Sequence, residues 1–132
     1  MHPFRKAVEA DDHRAIEELL AENVVFSSPV AFRPYVGKAI TAAILRGVGR
    51  VFEDFHYVRE MSTADGRDHA LEFKAKVDGM DVHGCDFLHV DERGLIDDFV
   101  VMVRPLSAAQ ALSAAMGAQF ERIRREAADS AP

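Results

Sequence analysis

Residues 71–77 read Leu-Glu-Phe-Lys-Ala-Lys-Val, and this strict alternation decides the fold. A period of two places Leu71, Phe73, Ala75 and Val77 on one face of a β-strand and the charges on the other, as in an antiparallel sheet with one buried side. Three glycine-containing turns, Asp65-Gly66, Asp78-Gly79 and Glu92-Arg93-Gly94, divide the surrounding chain into strands near 54–63, 68–77, 82–90 and 95–104. Each is joined to the next as a hairpin, so the second half is a meander.

Ahead of the meander the period changes to that of helices. Phe4, Ala7 and Val8 mark a short helix over 3–10, and Asp11-Asp12 break its register and cap a second helix near 12–22. Ile16, Leu19, Leu20 and Val24 share one face of that helix, and a short strand, Val24-Val25-Phe26, follows. The segment 29–37 is irregular yet carries Val30, Phe32 and Tyr35, as a covering loop does. Ile40, Ile44, Val48 and Val51 set a third helix at about 38–51. After Pro105, Ser107-Ala108-Ala109-Gln110 reads as a capping box, and Leu112, Met116, Phe120 and Ile123 continue a buried stripe to about 125. The expectation is a single α+β domain over 1–127 with a frayed tail at 128–132.

Composition narrows the partners. With 132 residues one core is expected, and 48% apolar with 29% charged residues is a globular mixture. A net charge of −6 argues against nucleic acid, which needs a basic face. Arg122, Arg124 and Arg125 form the basic cluster, near the end of the terminal helix, where cations suit the helix dipole. The single cysteine, Cys85, excludes an internal disulfide and a multi-cysteine zinc site. No apolar stretch approaches the ~18 residues of a membrane span, and the N-terminus runs directly into an amphipathic segment, so a cytoplasmic location without membrane contact is expected.

Hairpin arithmetic then orients the polar side chains, because residues opposite one another across an antiparallel ladder point to the same side. A two-residue Asp78-Gly79 turn pairs Leu71 with Asp86, and a four-residue loop pairs Phe73 with it. Asp86 faces inward in both. Carried across Asp91–Gly94, the same step sets Asp86 opposite Phe99 and Asp97 opposite Leu88, with the two carboxylates ~7–8 Å apart. On the other side, a two-residue Asp65-Gly66 turn sets Val58 opposite Phe73 and turns His56 inward; a three-residue turn brings Phe55 and Tyr57 inside instead. The two-residue turn is favoured by Asp-Gly.

An inward carboxylate among apolar side chains is costly unless hydrogen-bonded, metal-bound or protonated. Desolvation raises its pKa, and a neutral acid of this kind can donate to a developing oxyanion. The expected pocket comprises Phe4, Ser28, Phe32, Tyr35, Val58, Leu71, Phe73, Leu88, Asp97 and Phe99 around Asp86.

The order helix, helix, strand, loop, helix and four-stranded meander resembles the nuclear transport factor two-like superfamily, which includes ketosteroid isomerases and SnoaL-like polyketide cyclases. Three segments carry the resemblance: residues 11–20, residues 25–30 with Gly37 ahead of a helix, and Gly84-Cys85-Asp86-Phe87-Leu88-His89-Val90-Asp91. It implies a cone-shaped curved antiparallel sheet covered by N-terminal helices, with an additional C-terminal helix. Asp86 then matches the protonated aspartate of ketosteroid isomerases, whereas their base position falls on Ser28 and their tyrosine position on Phe4. A serine hydroxyl does not abstract a proton alpha to a carbonyl unaided. His56, if inward, takes the base role that histidine has in the SnoaL-like cyclases. The stretch from Met102 to Gly117 also resembles actinobacterial members of the superfamily.

Two functions follow. One is a binding protein for a small apolar molecule; the other is an isomerase or cyclase that enolises an apolar ketone with Asp86 as acid and His56 as base. No cofactor is expected. His83, Cys85, Phe87 and His89 alternate onto the outer sheet face, where the His-Cys pair lacks a third ligand for a metal. That face is the usual dimer surface in the superfamily, and a homodimer is expected there.

Overall fold

A computed structural model describes residues 1–130. In chain order the elements are α1 (Pro3–Glu9), α2 (His13–Glu18), β1 (Leu20–Ser27), β2 (Tyr35–Val36), α3 (Lys38–Val51), β3 (Glu53–Ser62), β4 (Asp68–Val77), β5 (Met80–Val90), β6 (Ile96–Arg104) and α4 (Leu106–Ser130). The strands form a six-stranded sheet in the order β2-β1-β6-β5-β4-β3. The meander β3–β6 is antiparallel as expected, while β1 joins β6 in parallel. This curved, unclosed α+β sheet carries the helices on its concave side, with Phe4, Phe26 and Phe99 packed edge to face at its centre.

Local chemistry explains the boundaries. Asp12 caps α2 by accepting from the Ala15 N–H at 3.1 Å. The helix stops at Glu18, short of the expected 22, because Leu20 is drawn into the sheet opposite Ile96, whose N–H donates to the Leu19 carbonyl at 2.8 Å. At the other end of the chain, α4 begins at Leu106, so Ser107 lies inside the first turn rather than at a cap. The helix continues through Ser130 instead of fraying from 128; residues 131–132 of the expected tail lie outside the described residues.

The β4–β5 hairpin is regular. Asp78 and Gly79 have φ of 49° and 76°, as a two-residue turn requires, and the ladder runs unbroken from Val77↔Met80 to Asp68↔His89. Gly84 on the inner face makes room for the Phe73 ring; a Cβ there would also stand 2.8 Å from the Met102 carbonyl oxygen.

The β3–β4 pairing is not regular. It closes between Thr63 and Asp68 and passes through Ser62↔His69 and Arg59↔Glu72, the parity of a two-residue turn. An extra residue at Val58 then shifts the register to Tyr57↔Phe73. A second irregularity lies between Glu53 and His56, where Asp54 has φ of 54°. These bulges sit on an edge strand, where one more residue bends the chain without breaking neighbours on both sides.

Candidate functional site

Between the concave face and the helices lies a cavity of about 400 Å³. The sheet contributes Phe26, Phe55, Tyr57, Phe73, Phe99 and Val101; α1 contributes Phe4; α3 contributes Ile44, Leu45 and Val48; and α4 contributes Leu112, Met116 and Phe120. Aromatic rings pack on one another along the walls, with Phe55 stacked on Phe73 at 4.9 Å and edge to face with Tyr57 at 5.0 Å.

Asp86 projects into this wall from β5, opposite Leu71 as the two-residue turn requires. It is only 6% exposed. One carboxylate oxygen, Oδ2, accepts from the Tyr57 hydroxyl at 3.1 Å; the other, Oδ1, has no hydrogen-bond partner among the described residues. Burial pushes the Asp86 carboxyl up to about 7, and the Tyr57 hydrogen bond acts in the opposite direction. Burial, reinforced by the neighbouring Asp86 carboxylate, holds the Tyr57 phenol well above its ordinary range. The Arg5 guanidinium stands 5.7 Å from the Tyr57 ring centroid and is itself tied to Glu9 at 2.6 Å and Glu60 at 3.6 Å. Among the described residues lining the cavity there is no Lys or Arg, and its ionisable lining includes Glu9, Asp11 and His13 as well as Asp86.

Of the residues singled out from sequence, Asp86, Phe4, Ser28, Tyr35, Phe73 and Phe99 line the cavity. The others do not. His56 is exposed and turns away, its Nδ1 2.9 Å from the Asp54 carbonyl oxygen, because the Val58 bulge reverses the parity inferred from the turn. Val58, the bulged residue, is 44% exposed for the same reason, and Phe32 is fully exposed at the tip of its loop. Leu71 and Leu88 point inward but are sealed in the core beside the cavity. Asp97 also differs: a register shift at His89/Val90 sets Phe99 opposite Leu88 and Val101 opposite Asp86, and the Asp97 carboxylate meets the His89 imidazole at 2.6 Å. The two carboxylates are not neighbours on one face.

Tyr57 is the principal addition. It belongs to the alternative hairpin parity, and no short-range signal marks the bulge that brings it inside. Met116 and Phe120 were legible as a buried stripe, though not as cavity wall. On the outer face, Phe87 and Met102 are 41% and 60% exposed around Cys85, and His83 bonds Glu72 at 2.6 Å. No helix among the described residues is long and apolar enough to cross a membrane.

Comparison with known proteins agrees with this architecture. Residues 2–99 match the SnoaL-like domain. A steroid delta-isomerase from Pseudomonas aeruginosa is 39% identical, with a TM-score of 0.86 over 92% of this chain and 89% of that one. A protein with a cystatin-like fold from Silicibacter pomeroyi is 38% identical, with a TM-score of 0.83 over 96% and 95%. A candidate polyketide cyclase from Pseudomonas putida, 22% identical over 80% and 89%, shares the fold with a TM-score of 0.66. No curated protein shows a significant match.

Proposed function

The chain belongs to the SnoaL-like domain family, and on that premise we propose that its cavity binds a small, largely apolar molecule through a single hydrogen-bond acceptor, with Asp86 and Tyr57 as the anchor. The observation that carries this is the buried Asp86, paired to Tyr57 through one oxygen and unpartnered at the other. Protonated, Asp86 donates through its free oxygen to a ligand carbonyl; ionised, it presents a lone pair to that carbonyl oxygen and repels it. Apolar walls supply most of the affinity, and the pair sets orientation.

Enolisation of a bound ketone is the second reading. It is favoured by the likeness to the Pseudomonas aeruginosa steroid delta-isomerase and by a carboxyl that titrates near neutrality. Tyr57 strengthens the acid side, but His56 cannot serve as the base from the opposite face of the sheet. Binding therefore stands ahead of turnover. We further propose a homodimer formed through the outer sheet face around Cys85, Phe87 and Met102, a cytoplasmic location, and an actinobacterial origin suggested by the Met102–Gly117 stretch.

The test compares 2-acetylnaphthalene with 2-ethylnaphthalene, which has the same rings without the acceptor, by fluorescence titration. The ketone is expected to bind more tightly below pH 7, and to lose that advantage as the pH rises through about 7 and Asp86 ionises. Tyr57→Phe should weaken ketone binding about tenfold and leave the hydrocarbon unaffected. No saturable binding of either probe would overturn the proposal.

A further inference from the structure

The cavity has a closed end and an open one. Asp86, Phe73 and Phe99 are buried at the sheet, whereas the helical rim includes exposed residues, among them Ser113 and Gly117 of α4. Leu112, Ser113, Met116, Gly117 and Phe120 recur at helical spacing and so form one face of α4 toward the cavity. This helix lies outside the segment that matches the family, which ends at residue 99.

Two glycines at the α3–α4 layer differ in what keeps them small. At Gly47 on α3 a Cβ would lie 2.7 Å from Ile123 Cδ1, so the buried Ile123 side chain would have to shift to admit it. Gly117 has no such constraint: a Cβ would meet nothing within 4 Å, and its φ is not in the left-handed region. Glycine inside a helix still lowers helix stability relative to almost any other residue. The space that a side chain at 117 would fill lies at the cavity rim. Its position is firmly set, because α4 is held to α3 by Ile123 against Gly47, by Glu126 with Arg46 at 2.9 Å and Arg50 at 3.0 Å, and by Gln119 with Arg50 at 2.8 Å.

We infer that Gly117 keeps the mouth of the cavity open and sets the length of ligand the protein accepts. The inference rests on the proposed binding function: with the acceptor anchored at Asp86 and Tyr57, a lengthening apolar tail must advance along the walls toward the α4 rim. A side chain at 117 would meet that tail and not the anchor.

A series of methyl ketones from 2-hexanone to 2-tetradecanone tests it by titration calorimetry against the wild-type protein, Gly117→Ala and Gly117→Leu. Wild-type affinity is expected to rise roughly fourfold per added methylene until the tail leaves the cavity. In Gly117→Leu the rise should stop at least two methylenes earlier, so the longest ketones lose about tenfold or more while 2-hexanone stays within about twofold; Gly117→Ala should fall between. The Leu variant should melt no lower than the wild type, which separates a blocked mouth from a damaged fold. An unchanged length profile, or an equal loss at every length, would overturn the role of Gly117 alone. A wild-type protein that binds no member of the series would overturn the pocket function itself, and this inference with it.

Discussion

The two hairpins on either side of β4 carry the two halves of the anchor, and they are built differently. β4 and β5 pair without a break, so the inward direction of Leu71 passes directly to Asp86. β3 leaves β4 with the parity its turn implies, then loses one step at Val58, and Tyr57 rather than His56 reaches the cavity. A regular ladder transmits side-chain direction over any distance, whereas one extra residue reverses everything beyond it. The consequence is chemical: a phenol donor stands opposite Phe73 and reaches Asp86, where an unshifted ladder would have placed Val58 and turned His56 inward one pair further along the strand.

The largest expected effect is at Tyr57. Truncation to Ala removes a buried ring packed on Phe55 and leaves Asp86 without its donor, at a cost of about 4 kcal/mol in urea unfolding. Val58→Ala should cost under about 1 kcal/mol. Equal effects at the two positions would place the bulge elsewhere.

Asp86→Asn comes next, because it removes a titration without changing shape. The native carboxyl takes up its proton at about 7 rather than at the ordinary value of 3.8, so the folded state binds the proton more tightly than the unfolded chain does. Stability is therefore undiminished by this group below about pH 4, falls between about 4 and 7, and stays lowered above. Measured against Asp86→Asn, the wild type should lose roughly 4 kcal/mol across that window. Parallel pH profiles for the two proteins would show that Asp86 is not desolvated.

The smallest effect is expected at His56, exposed on the far side of the bulge. His56→Ala should change stability by less than about 0.5 kcal/mol and leave ketone affinity and its pH dependence as they were. A substantial loss of binding would put His56 back on the cavity side and invalidate the shifted register.

Much of the candidate site is legible in the sequence. The alternation at 71–77 and the Asp78-Gly79 turn are local signals, and together they oriented Asp86; the helical stripes identified Phe4 and Met116 as buried, while Phe120 of the same stripe is only partly so. Errors gathered where direction depends on something distant. At Asp97 a register shift near the turn moved the carboxylate to the His89 side, and at Leu71 and Leu88 an inward direction proved different from a place on the cavity wall. Phe32 is a loop residue whose apolar character did not bring it inside, since a loop has no period to enforce a face.

The sequence by itself determined the α+β class, the meander and the burial of Asp86, because each rests on a period or a turn spanning a few residues. Only the tertiary structure decided that Tyr57 would meet Asp86, that β1 would lie parallel to β6, and that α4 would form part of the cavity wall. These depend on how the sheet bends to enclose its aromatic side chains. A bulge that relieves that bending costs little at an edge strand, and it leaves no mark in the local pattern of residues.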